Sequence, residues 1–467
     1  MPLLRADLPL AVDRAIPHSL PAQIAAQVRA LINDGALKPG DALPGTRRLA
    51  EQLGVSRGSV TTAFDQLHAE GYLHSSPGAP TRVNPELLTP PPEPARTRPQ
   101  LALPRPKIRI SLKPSTASPQ NVRPAAWRAA WRQAAGVPEK KLEQAGQPEL
   151  REAIAEHIRL TRSMALSSRS VLVTGGSREG FMLILMALSD AYGRPLTVGV
   201  EDPGHPGLRG IITLLGHATR PCATDSQGVL VDALPSDLDV LLVTPSYQYP
   251  LGSTMPAARR AELIQWANAR GTVVVEDDFN AELRYRLAPE PALAALGQAS
   301  TAQVIVLGTF STLLSPSLSA GYVLAPPSLV DGLLATRAQL GMPVAGVTQR
   351  AIAQLLHNGY VRKHTKAMHA RLGRRKATIA RTLRPEGVEI TTMGSGADYF
   401  FGFADSERAA SFEKRLLEQG IGLGHAEKLW STIGPEQGFI LSFAHLEDEE
   451  FAFALGAVAD ALEDEKL

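Results

Sequence analysis

The chain has 467 residues, with 48 Lys and Arg against 46 Asp and Glu, a formal charge of +2. Hydrophobic residues make up 44% and charged residues 20%, which supports packed cores and excludes a chain disordered throughout. The near-neutral balance also excludes a protein that is basic from end to end, so any contact with nucleic acid falls to a small part of it.

Taken in chain order, residues 18–83 predict three helices and a hairpin. Ile24, Val28, Leu31 and Ile32 recur at helical spacing after Pro21. A short helix follows Pro44, with Thr46 as its expected cap and Leu49, Ala50 and Leu53 facing inward. Gly54-Val55-Ser56 makes a turn, and Ser56 caps a third helix carrying Val60, Phe64 and Leu67. Tyr72-Leu73-His74 and Thr81-Arg82-Val83 then flank a Ser-Ser-Pro-Gly turn ending at Gly78. Helix, glycine turn, helix and hairpin make the outline of a winged helix-turn-helix. Arg57, Ser59, Thr61 and Thr62 form the exposed side of the third helix, small donors of the kind the major groove admits.

From Asn84 to Pro106 the pattern stops, and prolines recur at 85, 90, 91, 92, 94, 99, 104 and 106. Proline fixes φ and removes a backbone donor, so 84–107 is expected as a semi-rigid tether. Arg96, Arg98, Arg105, Lys107 and Arg109 would add phosphate attraction there.

Beyond it, apolar strand candidates alternate with helices: Val171–Thr174, Thr197–Glu201, Val240–Thr244, Thr272–Glu276 and Val304–Leu307, with helices at Glu149–Thr161 and Arg178–Leu188. This alternation predicts an α/β body, 108–467, with a mainly parallel sheet covered on both faces, its ligands at the carboxyl ends of the strands. A division into a large domain, 108–330, and a small domain, 331–467, is expected. The basic segment Arg362–Arg381, with His364 and His369, is expected as a solvated helix face. No metal-ligand spacing stands out. One cysteine, Cys222, leaves no internal disulfide and points to a reducing, cytoplasmic setting. No signal-peptide pattern opens the chain, and its longest apolar run, Phe181–Leu188, is far short of the roughly 20 residues of a membrane span.

Two resemblances follow from the words themselves. Residues 18–83 resemble the GntR-type winged helix through "LKPGDALPGTRRLAEQLGVSRGSV" and "AFDQLHAEGYL". That resemblance places Thr46, Arg47, Ser56, Arg57, Ser59 and Thr61 on double-stranded operator DNA, and Gly78 at the wing tip. Pro80 stands where a second wing glycine is common. The words "VTGGSREG", "VEDPGHPGLRG", "VTPSYQYPLGSTM", "VEDDFNAELRY" and "LGTFSTLLSPSLSAGY" are similar to those of fold-type I aminotransferases. The whole chain therefore resembles the MocR/GabR-type regulators, whose aminotransferase-like domain holds pyridoxal phosphate as a sensor. The resemblance implies a homodimer, domain-swapped head to tail, and a small-molecule effector.

The family's cofactor residues are not all present. Its Schiff-base lysine falls on Thr312, whose hydroxyl forms no imine. Its phosphate-gripping arginine falls on Ser319, its phenol on Phe279, and its carboxylate-binding arginine on Ile440. Tyr247 replaces a common histidine, and His205 stands where an aromatic ring stacks on the cofactor. Gly175, Gly176, Ser177 and Thr309 keep the outline of an anion cradle, and Asp277, which in the family meets the pyridine nitrogen, remains. Four losses at one ligand's contacts predict a domain that is not an enzyme and holds no covalent pyridoxal phosphate. The alternatives are an enzyme with displaced lysine, for which Lys363, Lys366, Lys376 and Lys428 match no motif, or a domain that only sets dimer geometry.

Overall fold

A computed structural model of the chain describes residues 8–14, 19–76, 79–87, 108–113, 122–136, 141–279, 282, 291–297, 301–383, 388–392, 398–431 and 438–463. Gly78, most of the expected tether and its Arg96, Arg98, Arg105 and Lys107 lie outside these residues. The chain forms two compact units, Met1–Arg105 and Pro106–Leu467.

The first unit contains α1 (Leu20–Asn33), α2 (Thr46–Leu53), α3 (Arg57–Ala69), β1 (Leu73–His74) and β2 (Arg82–Val83). The helical stripes meet as their spacing dictates. Ile24, Val28 and Ile32 of α1, Leu49 of α2, and Val60, Phe64 and Leu67 of α3 share one core. Gly54 ends α2 at φ 62°, a left-handed conformation glycine adopts without a Cβ clash. Ser56 caps α3, its Oγ accepting from the Ser59 amide at 3.1 Å. The expected cap of α2 is corrected: Gly45 occupies that position without a side-chain bond, and Thr46 is the first helical residue. The wing pairs Leu73 with Val83 and His74 with Arg82, and Ala42 bridges to Arg82 on the other side. Ahead of α1, Leu8 is buried in the same core, and Leu10 and Val12 pack against it.

The second unit opens with β3 (Ile110–Ser111), α4 (Pro124–Ala134), α5 (Pro148–Arg162), β4 (Val171–Thr174), α6 (Ser177–Tyr192), β5 (Thr197–Asp202), α7 (Pro206–Leu214), β6 (Ala218–Asp225), β7 (Gly228–Val229) and β8 (Val240–Val243). It continues with α8 (Ala257–Arg270), β9 (Val273–Asp277), α9 (Leu293–Gly297), β10 (Val304–Thr309), β11 (Gly321–Leu324), α10 (Pro327–Leu340), α11 (Gly346–His357) and α12 (Tyr360–Thr382). The rest is β12 (Val388–Thr392), β13 (Asp398–Phe403), α13 (Ser406–Glu418), β14 (Ile421–Gly422), β15 (Gly424–His425), β16 (Gly438–Ser442) and α14 (Asp448–Glu463).

Eight strands form the large sheet in the order β4-β11-β10-β9-β8-β5-β6-β7. The run from β10 to β6 is parallel, while β11 lies antiparallel between β4 and β10. Strands β4, β8 and β9 are buried on both faces, as near-continuous Val and Leu runs require, whereas β6 is mostly exposed or half-buried. A second sheet, β12-β13-β16-β15, backs the C-terminal lobe.

Two expectations are corrected here. The lobes do not divide at 330/331: Val344, Ile352, Leu355, Val361 and Met368 belong to the core of the large sheet, and Ile379 begins the C-terminal core. Residues 108–113 also join the C-terminal lobe, because β3 pairs with β14 and Leu112 enters that core. Arg362–Arg381 is a solvated face on one side only, where Arg362, Lys363, Lys366, Arg374 and Arg381 are exposed. His364, Met368, Leu372, Arg375 and Ile379 are buried along α12, and Arg375 donates to the Phe443 carbonyl and the Asp448 carboxylate, each at 2.7 Å. A buried guanidinium with this many acceptors keeps its charge satisfied, which a count of basic residues does not reveal.

Candidate DNA interface and ligand site

In the first unit, Arg57 at the first turn of α3 donates to Thr46 Oγ1 at 3.4 Å, so the N-termini of α2 and α3 meet. Ser56 and Ser59 hydroxyls lie 2.9 Å apart, and Thr61 Oγ1 donates to the Arg57 carbonyl at 3.0 Å. Arg47, Ser56, Arg57 and Thr61 are exposed, and Thr46 and Ser59 are half-buried. Arg47 and Arg57 pair with no carboxylate among the described residues. By contrast, Arg29 is held by Glu70 at 2.7 Å. Six of the seven expected DNA residues thus fall on two adjoining helix N-termini, where backbone N–H groups favour phosphate oxygens.

In the second unit, the strand ends carry the expected words into one region. After β4, Gly176 precedes α6 at φ 99°, Thr174 Oγ1 donates to its carbonyl at 3.2 Å, and Ser177 opens the helix. Gly321 of β11 presses on this turn. A Cβ there would lie 2.4 Å from the Gly308 carbonyl oxygen and 3.0 Å from Gly176 Cα, so glycine is required by close approach. Thr309 ends β10, its Oγ1 accepting from the Ser311 amide at 3.1 Å. Thr312 is buried at 4% exposure. Ser319 is exposed and takes φ 43°.

His205 is an N-cap. Its Nδ1 accepts from the Gly207 and Leu208 amides at 3.0 and 3.3 Å. Burial and the neighbouring Arg178 guanidinium push its pKa down to about 4, so the ring is neutral. Its ring lies 5.4 Å from Tyr249, which meets Phe279 edge-on at 6.3 Å. Tyr247, Tyr249, Phe400, Ala426, Leu429 and Ile440 form one apolar cluster, with Phe279 and Trp430 against it. The register explains which residues of the C-terminal sheet arrive there. Phe400 pairs with Ile440 and Asp398 with Ser442, and residues two apart on a strand share a face.

Strand alternation also sorts the word Glu276-Asp277-Asp278. Arg162 lies 2.8 Å from Asp278 and 3.6 Å from Glu276, on one side of the strand. Asp277 points the other way. It receives the Phe279 amide, and its Oδ1 has no hydrogen-bond partner. The salt bridges of this word are therefore made by the two neighbours of Asp277. Burial pushes Asp277 up to about 7.

Two further acids, passed over in the sequence, lie buried with it. Glu201 accepts from the Thr244 amide at 3.1 Å and from the Thr244 hydroxyl, yet its Oε1 has no partner. Burial, with added repulsion from Asp277, pushes it up to about 7. Asp398 is pushed up to about 6 by burial, against the lowering pull of the Ser442 and Tyr247 hydroxyls, and its Oδ1 is likewise unpartnered. A lone acid beside Tyr-Phe-Phe in an apolar strand was the available signal for Asp398.

These residues fit pyridoxal phosphate at one end only. The free Asp277 oxygen suits a protonated ring nitrogen. Thr312 supplies no amine, Ser319 no charge for a phosphate, Phe279 no phenol and Ile440 no cation for a carboxylate. Lys363, Lys366 and Lys428 are exposed on the surface of the unit.

Comparison with known proteins agrees with this architecture. Residues 20–83 match the family "Bacterial regulatory proteins, gntR family", and residues 113–457 match "Aminotransferase class I and II". The HTH-type pyridoxine biosynthesis transcriptional regulator PdxR of Corynebacterium glutamicum is 37% identical over 98% of this chain and 99% of its own length. The probable rhizopine catabolism regulatory protein MocR of Rhizobium meliloti is 27% identical over 97% of this chain and 95% of its own. An archaeal alanine:glyoxylate aminotransferase shares the fold, with a TM-score of 0.69 at 20% identity over 77% of this chain and 91% of the other. A DNA-reading winged helix joined to an aminotransferase-fold body, with full-length relatives that are regulators, means that the chain belongs to the MocR/PdxR-type family of HTH transcriptional regulators.

Proposed function

We propose that this regulator senses a small ligand in its aminotransferase-like unit without a covalent link to pyridoxal phosphate, and that the unit performs no transamination. The observation that supports this is a pairing of loss and retention. The positions that would supply an amine and two guanidinium groups hold Thr312, Ser319 and Ile440, while the carboxyl of Asp277 is retained with an unpartnered oxygen. An unmade bond on a buried carboxyl costs on the order of 1–3 kcal/mol, and a ligand bringing N–H donors would recover it. The losses weigh against an anionic ligand, since each charge-assisted bond to a phosphate is worth roughly 1.5–3 kcal/mol. The body also serves as the dimerisation unit, so that ligand binding changes the spacing of two winged helices on an operator.

Incubating the protein with pyridoxal phosphate, reducing with borohydride and measuring the mass tests the first part. No phosphopyridoxyl lysine is expected in the second unit, and a stoichiometric adduct there would overturn the proposal. A thermal-shift screen tests the second part, because a ligand of the native state raises stability by mass action. Protonated amines and nitrogen heterocycles should raise the melting temperature, and Asp277→Asn should abolish the rise.

A further inference from the structure

The segment ahead of α1 lies outside the part of the chain that matches the GntR family, which begins at residue 20. It is nevertheless built into the DNA reader. Leu8, Leu10 and Val12 face the core while Pro9, Ala11 and Asp13 are exposed, the alternation of an extended strand. The Leu10 amide turns back to the Leu8 carbonyl at 2.8 Å, and from Ala11 onward the backbone bonds go to side chains of α1. The Ala11 amide donates to Gln27 Oε1 at 3.0 Å, and Gln27 Nε2 returns a bond to the Ala11 carbonyl at 2.6 Å. Gln23 does the same for Asp13, at 3.0 and 2.8 Å. Each primary amide thus exchanges the two bonds that a paired β residue would exchange. The spacing is commensurate: two extended residues advance about 6.6 Å, and four helical residues about 6 Å. Gln52 Nε2 on α2 holds the Leu8 carbonyl at 2.5 Å.

The strap ends at Arg14, whose guanidinium donates to the Gly54 carbonyl at 3.4 Å. Gly54 ends α2, two residues before the Ser56 cap of α3. Arg14 is exposed and, like Arg47 and Arg57, pairs with no carboxylate among the described residues. An unneutralised guanidinium fixed at the turn that introduces the reading helix has the placement of a backbone-phosphate contact, which sets register without reading sequence.

We propose that residues 8–14 are a positioning strap of the DNA reader, clamped by Gln23 and Gln27, and that they hold Arg14 as a third phosphate-binding cation beside Arg47 and Arg57. This rests on α3 facing DNA, so Arg57→Ala is the control. A phosphate contact is indifferent to sequence, so a generic labelled duplex serves as the probe, with the full-length protein titrated across a salt series. Arg14→Ala should bind several-fold more weakly at low salt. Its slope of log affinity against log salt should be shallower by about 1, the share of a single neutralised phosphate. The Gln23→Ala/Gln27→Ala variant should weaken binding by a similar amount, and adding Arg14→Ala to it should cost little more. Wild-type affinity and slope for Arg14→Ala, with Arg57→Ala weakened, would overturn the phosphate-binding role. Fully additive effects would overturn the clamp as its positioning device. If Arg57→Ala also binds like wild type, the DNA-facing assignment of α3 fails, and the strap proposal with it. Arg14 is exposed, so its variant should unfold at the wild-type temperature, which keeps the binding result separate from misfolding.

Discussion

The two units leave their polar groups unpaired in opposite ways. The reader carries exposed guanidinium groups at Arg14, Arg47 and Arg57 with no acid opposite them among the described residues. The body holds buried carboxyls at Glu201, Asp277 and Asp398, each with an oxygen that no group donates to among the described residues. An unpaired cation in water costs almost nothing and waits for a polyanion. An unpaired acid in an apolar interior is expensive, and it is kept protonated until a donor arrives. The surface elsewhere shows that pairing is readily made: Arg194 lies 2.7 Å from Asp239, Arg159 2.7 Å from Glu156, and Arg220 3.2 Å from Asp237.

The largest expected effect is on the reader. Arg57→Ala should weaken operator binding roughly 10- to 100-fold, the scale of one charge-assisted bond to a phosphate, while leaving thermal unfolding unchanged. Unchanged specific affinity in an anisotropy titration would break the assignment of α3 as the reading helix.

The body should respond to pH. Glu201 and Asp277 are raised to about 7 and Asp398 to about 6, all above the ordinary carboxylate range. A group whose folded pKa is raised contributes stability that is present below its unfolded pKa and is lost as pH rises through the folded value. These acids should therefore lower the melting temperature of the second unit from the ordinary carboxylate range up to about pH 7, while His205, lowered to about 4, raises it up to the ordinary imidazole range, so the acids' share is read as a difference between variants. Asp277→Asn should flatten the fall. A wild-type pH profile in calorimetry no different from that of Asp277→Asn would show that acid to be ionised and paired.

A smaller effect is expected at the strap. Gln27→Ala removes both bonds to Ala11 and should destabilise the reader by about 1 kcal/mol, the usual net worth of such bonds. Urea unfolding of the full chain, followed by a probe in the first unit, would measure it. The smallest effect sharpens the contrast directly. Arg29, already paired with Glu70 at 2.7 Å, should tolerate Arg29→Ala with no measurable change in duplex affinity. A weakening as large as that of Arg57→Ala would show that pairing does not separate working arginines from bystanders.

Local rules sufficed where a feature depended on near neighbours in the chain. The stripes at 24, 28 and 32 and at 60, 64 and 67 became buried helix faces. Strand β4 begins and ends where its apolar run does, at Val171 and Thr174. The cap at Ser56 follows from one side chain and the third amide beyond it. Thr46 went astray because glycine and threonine both serve as caps, and only the extended backbone of Gly45 shows which residue takes the position. The basic run 362–381 was legible only for its exposed side, because composition does not say which side of a helix meets a core. The lobe boundary went astray because a single helix, α12, spans two cores.

The sequence by itself determined the two-part plan, the helical period of α3 and the threonine at 312, because these are matters of residue identity and short-range period. Only the tertiary structure decided that Asp277 stands apart from its neighbours, that Asp398 and Glu201 are buried with unmade bonds, and that Arg14 is clamped beside Gly54. Those facts depend on which strand faces which and on what lies within about 3 Å of a polar atom, the range over which a hydrogen bond forms.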